Sequence, residues 1–317
     1  MLNRRILRIK VFKELFSYSG NRSMSRKDVL SELETSCEAV RDLYLFVLGC
    51  VPAVTAEAAR QIEAARGKFN PTPEERNPNL KFAENALARL LEEDPDYRKL
   101  VEKKQLDWEP YDALVRSLYD ALKGQDWFAA YMAEPERSLA GDTALFARIF
   151  EELLQDNEAL EAILEEKCIY WVDDLDYALM AAIQSLRDIA RTGRWDLPPL
   201  YRSDQLAAEG KAVDSDKAFA EKLLGGAFAC YEDYEARITG ATRGWDRDRI
   251  CQADRVLIIL GLAEVEHIPA VPARVSVNEY VELAKYFSTP RSASFVNGLL
   301  DSLVPKLIAE KGLAKQL

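Results

Sequence analysis

Five cations stand within the first thirteen residues, Arg4, Arg5, Arg8, Lys10 and Lys13, and no acid comes before Glu14. Arginine forks match phosphate geometry, so a cluster of this kind suits a polyphosphate backbone. The bland alternative is a solvated basic end that counters the acidic bulk of the chain. Arg4 and Arg8 lie four apart and share one helix face, where like charges cost a few tenths of a kcal/mol. Cations in a first turn also oppose the helix dipole, by about 0.3–1 kcal/mol each when exposed. The helix therefore carries charges that its folding does not need.

Other chemistry is sparse. The single histidine, His267, lies beside Glu264 and Glu266 at a helix end and reads as a cap rather than a metal or acid–base group. Asp173, Asp174 and Asp176 near Trp171 read as a solvated helix start. No phosphate loop, nucleophile elbow or zinc spacing is present. The expectation is no catalytic residue, no metal and no cofactor.

Composition narrows the classes further. The 317 residues carry 42 Lys+Arg and 53 Asp+Glu, a formal net charge of −11, and 48% are hydrophobic. An acidic surface repels nucleic acid as a whole, which leaves room for one local basic patch only. Five scattered cysteines without a CxxC pair predict a reduced, cytoplasmic chain with thiols packed as small hydrophobes. The purely apolar runs, VLIILGLA among them, are far shorter than the roughly 20 residues that span a bilayer. Nor does an apolar segment of signal-peptide type follow the N-terminal cations, so no membrane is expected.

The elements that must position these groups read as helices throughout, an all-α fold. The first is predicted from about residue 2 to 18, stopping near Gly20-Asn21. Its two apolar stripes, Leu2, Ile6, Ile9, Phe12, Phe16 and Leu7, Val11, Leu15, Tyr18, predict packing against more than one neighbour. That packing would leave the arginines at one exposed end. A long helical pattern after Ser25 is expected to break at Pro52 and resume to Lys68. The Pro/Asn-rich stretch NPTPEERNPN, 70–79, is the best boundary in the first half. Short helices follow over 80–93, 97–104, 110–123 and 127–133.

Two segments, from Phe146 and from Phe219, then resemble each other. Both open with Phe-Ala, and both place Glu-Ala (Glu161-Ala162, Glu235-Ala236) ten residues before a tryptophan, Trp171 or Trp245. Paired helical hairpins and chance agreement explain this equally well. Residues 253–266 are apolar almost all round, which predicts a helix central to a bundle. Ser276 and Glu279 fit a capping box. Thr289-Pro290 fits an N-cap followed by a proline at the first helical position. Pro305 is expected to kink or end the last helix, with Gly312 closing a final turn.

The tail DRVLIILGLAEVEHIPAVPARVSVNEYVELAKYFSTPRSASFVNGLLDSLV, 254–304, resembles the C-terminal signature of the NusB transcription antitermination family. Asp254, Arg255, Glu264, Val271, Pro272, Asn278, Glu279, Lys285, Phe287, Phe295, Asn297, Gly298 and Asp301 fall on that pattern in order. So do Arg4, Arg5, Arg8, Leu15 and Phe16 near the start, and FAEKLL with Trp245-Asp246 resembles the family's middle helix and the tryptophan after it. The resemblance covers roughly the first 20 and the last 100 residues. It implies three segments: 1–69 with the basic helix, an extra helical segment 70–205 as in the long form of the family, and a C-terminal bundle 206–317.

It further implies a NusB-like pair of helical bundles without enzyme activity. The implied partners are a boxA-type single-stranded RNA, the small-subunit ribosomal protein NusE, and the RNA polymerase antitermination complex acting on ribosomal RNA operons. Carried over by position, Arg4, Arg5, Arg8, Lys10, Arg291 and Phe295 are expected at the RNA, and Asp254 and Arg255 at the protein partner. The chain departs from the pattern at Ile259, where an arginine is frequent, at Lys13, where a glutamine is, and at Arg291, which adds a cation. RNA methyltransferases with a NusB-like N-terminal domain are one rival, disfavoured because no α/β cofactor segment follows. An adaptor of this fold without RNA binding is the other.

Overall fold

The computed structural model of the protein describes residues 1–201, 216–242 and 250–315. Trp245-Asp246, the close of the segment that starts at Phe219, and the 205/206 boundary lie outside the described residues. Every regular element among the described residues is a helix: α1 Arg4–Gly20, α2 Arg26–Arg66, α3 Pro73–Arg76, α4 Ala86–Glu93, α5 Pro95–Lys104, α6 Asp112–Lys123, α7 Asp126–Ala133, α8 Leu139–Ile149, α9 Glu158–Lys167, α10 Leu175–Thr192, α11 Asp216–Ala229, α12 Tyr231–Ala241, α13 Gln252–His267, α14 Ala273–Phe287 and α15 Ser292–Lys311. The fold is all-α, as the periodicity requires.

The chain divides into two compact units, Met1–Cys37 with Pro199–Leu317, and Glu38–Pro198. The division falls inside α2 and does not coincide with the three segments that composition and resemblance suggest. Residues 70–79 instead make a local turn, where Thr72 caps α3 and Glu75 closes the capping box. Pro52 does not break α2. Loss of one ladder bond and the ring clash cost about 3 kcal/mol. Around it Phe46, Val47, Leu48, Cys50, Val51 and Val54 are buried, each large side chain contributing about 1.5–3 kcal/mol. Packing therefore wins over local preference. An 18-residue window of α2 has mean hydropathy 1.5 and is two-thirds buried within the protein, which marks a core helix.

The core of the first unit is built around α13. It packs against α1, α11, α12, α14 and α15, and residues 256–265 are buried without exception. Gly261 permits this density, since a Cβ there would lie 2.8 Å from Leu300. The chain closes α15 at Gly312, which adopts the left-handed conformation, as expected. Pro305 is carried inside α15 without ending it.

The second unit buries three tryptophans whose indole N–H groups are all bonded. Trp108 Nε1 donates to the Phe46 carbonyl at 2.7 Å and Trp171 Nε1 to the Ala39 carbonyl at 2.8 Å. Trp195 Nε1 donates to Tyr44 Oη at 3.0 Å, which also meets Ser185 Oγ at 2.8 Å. The two Phe-Ala openings take different parts. Phe146 joins an aromatic cluster with Phe82 and Phe150, whereas Phe219 lies beneath two arginines in the first unit.

Candidate nucleic-acid interface

α1 begins where Asn3 Oδ1 accepts from the Ile6 amide at 3.0 Å, and it ends where the Asn21 amide returns to Ser17 and Tyr18. Its two apolar stripes bury Ile6, Leu7, Ile9, Val11, Phe12 and Leu15 against α11 and α13. The expected exposed arginine cluster is only partly present. Arg8 is 4% exposed and Lys10 is fully buried, whereas the Arg4 and Arg5 side chains keep 32% and 48% of their surface.

Arg8 is held by a buried carboxylate. Its Nε and Nη2 donate to Glu264 Oε2 and Oε1 at 2.8 and 2.7 Å, and Nη1 reaches Glu279 Oε2 at 3.3 Å. Ser276 Oγ and Tyr280 Oη donate to the same Glu264 carboxylate at 2.9 and 2.8 Å. Desolvation opposes the Arg8 charge, but the bond to Glu264 and the fields of Glu264, Tyr280 and Glu279 outweigh it and raise the guanidinium pKa. Burial, followed by the Glu264 charge, pushes the Tyr280 hydroxyl well above its ordinary value. A buried pair is tolerated when its hydrogen bonds are complete, and here four donors meet one carboxylate.

These bonds correct the expectations from sequence at three places. Ser276 and Glu279 are not a capping box: α14 starts at Ala273, Ser276 Oγ donates to Glu264, and Glu279 faces Arg5 and Arg8. Arg8 is a structural cation, so it reaches no phosphate in this arrangement. Lys10 lies inside the unit near Glu14. Burial, then the Glu32 charge, raises the Glu14 pKa to about 7 against the opposing pulls of Lys10, Ser36 and Lys13.

Arg4 and Arg5 remain at the surface, each with a carboxylate nearby. Arg4 Nε lies 3.5 Å from Asp216 and its guanidinium stands over the Phe219 ring; Arg5 Nε lies 3.6 Å from Glu279. Farther along, Phe12 packs on Phe287 of α14 at 5.1 Å and on Phe16 at 5.9 Å, and Phe16 is partly exposed. α14 thus meets α1 at Arg5 and at Phe12, about 10 Å apart along the helix at 1.5 Å per residue. Tyr286, at the exposed end of α14, is a further aromatic that the sequence pattern did not single out.

The turn after α14 carries Arg291, which is exposed, and Phe295, which is half-buried on the first turn of α15. α15 begins at Ser292 and not at Thr289-Pro290, because Ser292 Oγ is drawn inward. Ser288 Oγ and Ser292 Oγ donate to the two oxygens of Asp254 at 2.6 and 2.9 Å. The Asp254 carboxylate is buried, so it presents nothing to a partner directly; it fixes the turn that displays Arg291. Arg255 is half-exposed and points toward Glu235, 3.5 Å away.

The profile of the NusB family matches residues 180–305. A transcription antitermination protein NusB of Methylacidiphilum infernorum is 36% identical over 110 residues, 35% of this chain and 68% of that protein. The NusB of Myxococcus xanthus is 32% identical over 127 residues, 40% of this chain and 91% of its own length. That of Symbiobacterium thermophilum is 37% identical over 97 residues, 31% of this chain and 63% of its own length. No solved structure matches the chain. Near-complete coverage of a relative at this identity, on the helices that enclose Glu264 and Asp254, shows that the chain belongs to the NusB family.

Proposed function

We propose that this protein is a cytoplasmic, non-catalytic transcription antitermination factor. It binds boxA-type single-stranded RNA jointly with the ribosomal protein NusE and works within the RNA polymerase antitermination complex on ribosomal RNA operons. The observation that carries the reading is the set of exposed or half-exposed cations and rings that helices of the NusB family retain: Arg4 beside α11, Arg5 beside α14, Phe16 on α1, and Arg291 and Phe295 at the start of α15. Cations that track a backbone beside stacking rings are what single-stranded nucleic acid requires, with stacking worth about 1–3 kcal/mol per base. Arg8 and Lys10 act from inside, by holding α1 in place. Arg255 belongs to the protein-partner side, and the buried Asp254 holds the turn that displays Arg291.

One observation favours a second reading, a protein adaptor without RNA binding. The cations of α1 already face Glu264, Glu279 and Asp216. The test is binding of a boxA-like RNA, with and without NusE, to the wild type and to Arg5→Ala/Arg291→Ala. Weaker binding by the variant supports the RNA reading. No binding by the wild type, even with NusE, establishes the adaptor.

A further inference from the structure

Among the described residues, one place gathers sulfur, nitrogen and oxygen donors of metal-ligand type: Cys230, Glu266 and His267, whose donor atoms all lie within 4.8 Å of one another. Cys230 stands between α11 and α12, and the other two end α13. Cys230 Sγ is 3.7 Å from His267 Nε2. Two ligands of a tetrahedral zinc ion, with bonds near 2.3 Å for sulfur and 2.0–2.1 Å for nitrogen, sit about 3.6 Å apart. Tyr234 Oη adds a fourth donor, 3.2 Å from the same Nε2 and 3.0 Å from Glu266 Oε2.

The surroundings are shaped to the imidazole. A Cβ on Gly226 would lie 2.3 Å from His267 Cδ2, so α11 gives up a side chain where the ring is seated. The other Glu266 oxygen, Oε1, pairs with Lys311 at 3.1 Å, which orients the carboxylate with Oε2 toward the cluster. His267 is therefore engaged with side chains from α12 and the α11–α12 junction, and a simple helix cap does not describe what its Nε2 meets.

We infer that Cys230, Glu266 and His267 form a binding site for a thiophilic divalent cation of the zinc class, with Tyr234 as the adjacent fourth donor. Mixed sulfur, nitrogen and oxygen ligation selects zinc over magnesium or calcium, which take oxygen alone. Binding ionises the Cys230 thiol and releases its proton to solvent, while the metal keeps its charge and oxidation state. The bound ion clips the junction of α11 and α12 to the end of α13.

The full chain, stripped with a chelator, is titrated with Co2+ and then Zn2+. The expected result is a cobalt–thiolate absorption band that one equivalent of Zn2+ abolishes and excess Mg2+ does not. Zn2+ should also shield Cys230 from alkylation, mapped by mass spectrometry, while leaving the half-exposed Cys168 reactive. Cys230→Ser and His267→Gln should each lose the band and weaken Zn2+ binding by more than about 100-fold, beyond what loss of an outer partner costs. Absence of the band in the wild type, or equal alkylation of Cys230 with and without Zn2+, overturns the site. Both of those readings use the wild type, so neither depends on a variant that folds.

Discussion

The two units satisfy their buried charges in different ways. The first takes a full charge inside: Arg8, Glu264 and Glu279 with Ser276 and Tyr280 make one ionic knot among α1, α13 and α14. The second meets buried charges with neutral groups: Lys81 Nζ donates to the Tyr131 and Glu134 carbonyls at 2.7 and 2.9 Å, and Asp142 accepts from the Ala86 amide and the Tyr131 hydroxyl at 2.7 and 2.6 Å, while Trp108, Trp171 and Trp195 bond to backbone or to Tyr44. Neutral burial needs only one partner per atom. Charged burial needs a complete set, and once complete it fixes which helices meet and at what register. The unit that holds the basic helix is thus the one in which a buried cation meets a buried anion. Its surface arginines are placed by a buried one.

Breaking that contrast at its strongest point gives the largest effect. Arg8→Ala leaves Glu264 buried without its counter-ion and should cost about 3–5 kcal/mol in urea unfolding. Hydrogen exchange should quicken in α13 and α14. Pairing it with Glu264→Gln should recover part of that loss, because a neutral amide tolerates burial better than an orphan carboxylate. A loss below about 1 kcal/mol for Arg8→Ala would mean that the knot does not hold the unit together.

The neutral network should be weaker. Tyr44→Phe leaves Trp195 Nε1 and Ser185 Oγ without their shared partner, at a cost of about 1–3 kcal/mol. Burial pushes the Tyr44 hydroxyl up to about 12, so this cost should not change between pH 6 and 9. A pH-dependent loss in that range would contradict the neutral description.

Glu14 sharpens the comparison through pH. Its folded pKa, about 7, lies above the ordinary carboxylate value, so the folded state holds the proton more tightly than the unfolded one. Stability from this group is complete below the ordinary value and declines as pH rises toward 7. Glu14→Gln should flatten that decline and gain on the order of 1–2 kcal/mol at pH 8. An unchanged pH profile would place the titration elsewhere. The smallest stability effect belongs to Arg5→Ala, within about 1 kcal/mol, since its pair with Glu279 is solvent-exposed.

Much of the architecture is legible along the chain. α13 is apolar on every side and proves central, α1 with its two stripes proves to pack against more than one helix, and Gly312 proves to be a stop. These are local patterns with one dominant physical cause. The site is less legible because its decisive contacts are distant. Glu264 is 256 residues from Arg8, and Glu279 is 271. Ser276 and Glu279 carry the spacing of a cap and are used for another purpose. One signal was present: Glu264 sits within a run otherwise nearly free of polar groups, and a carboxylate there needs a buried cation. Only a cation on an equally apolar helix could meet it, and α1 supplies Arg8. Pro52 misled for the converse reason, since local preference was outweighed by packing that no short window displays.

The proposed function divides the arginines: exposed Arg5 and Arg291 for RNA, buried Arg8 for the fold. The most direct test measures affinity for a boxA-like RNA across salt concentrations, with NusE present, for the wild type and Arg5→Ala/Arg291→Ala. The account predicts weaker binding at low salt and a slope reduced by about 1.4, from two lost phosphate contacts at about 0.7 each on a single strand. Equal affinity and equal slope in the two proteins would contradict it.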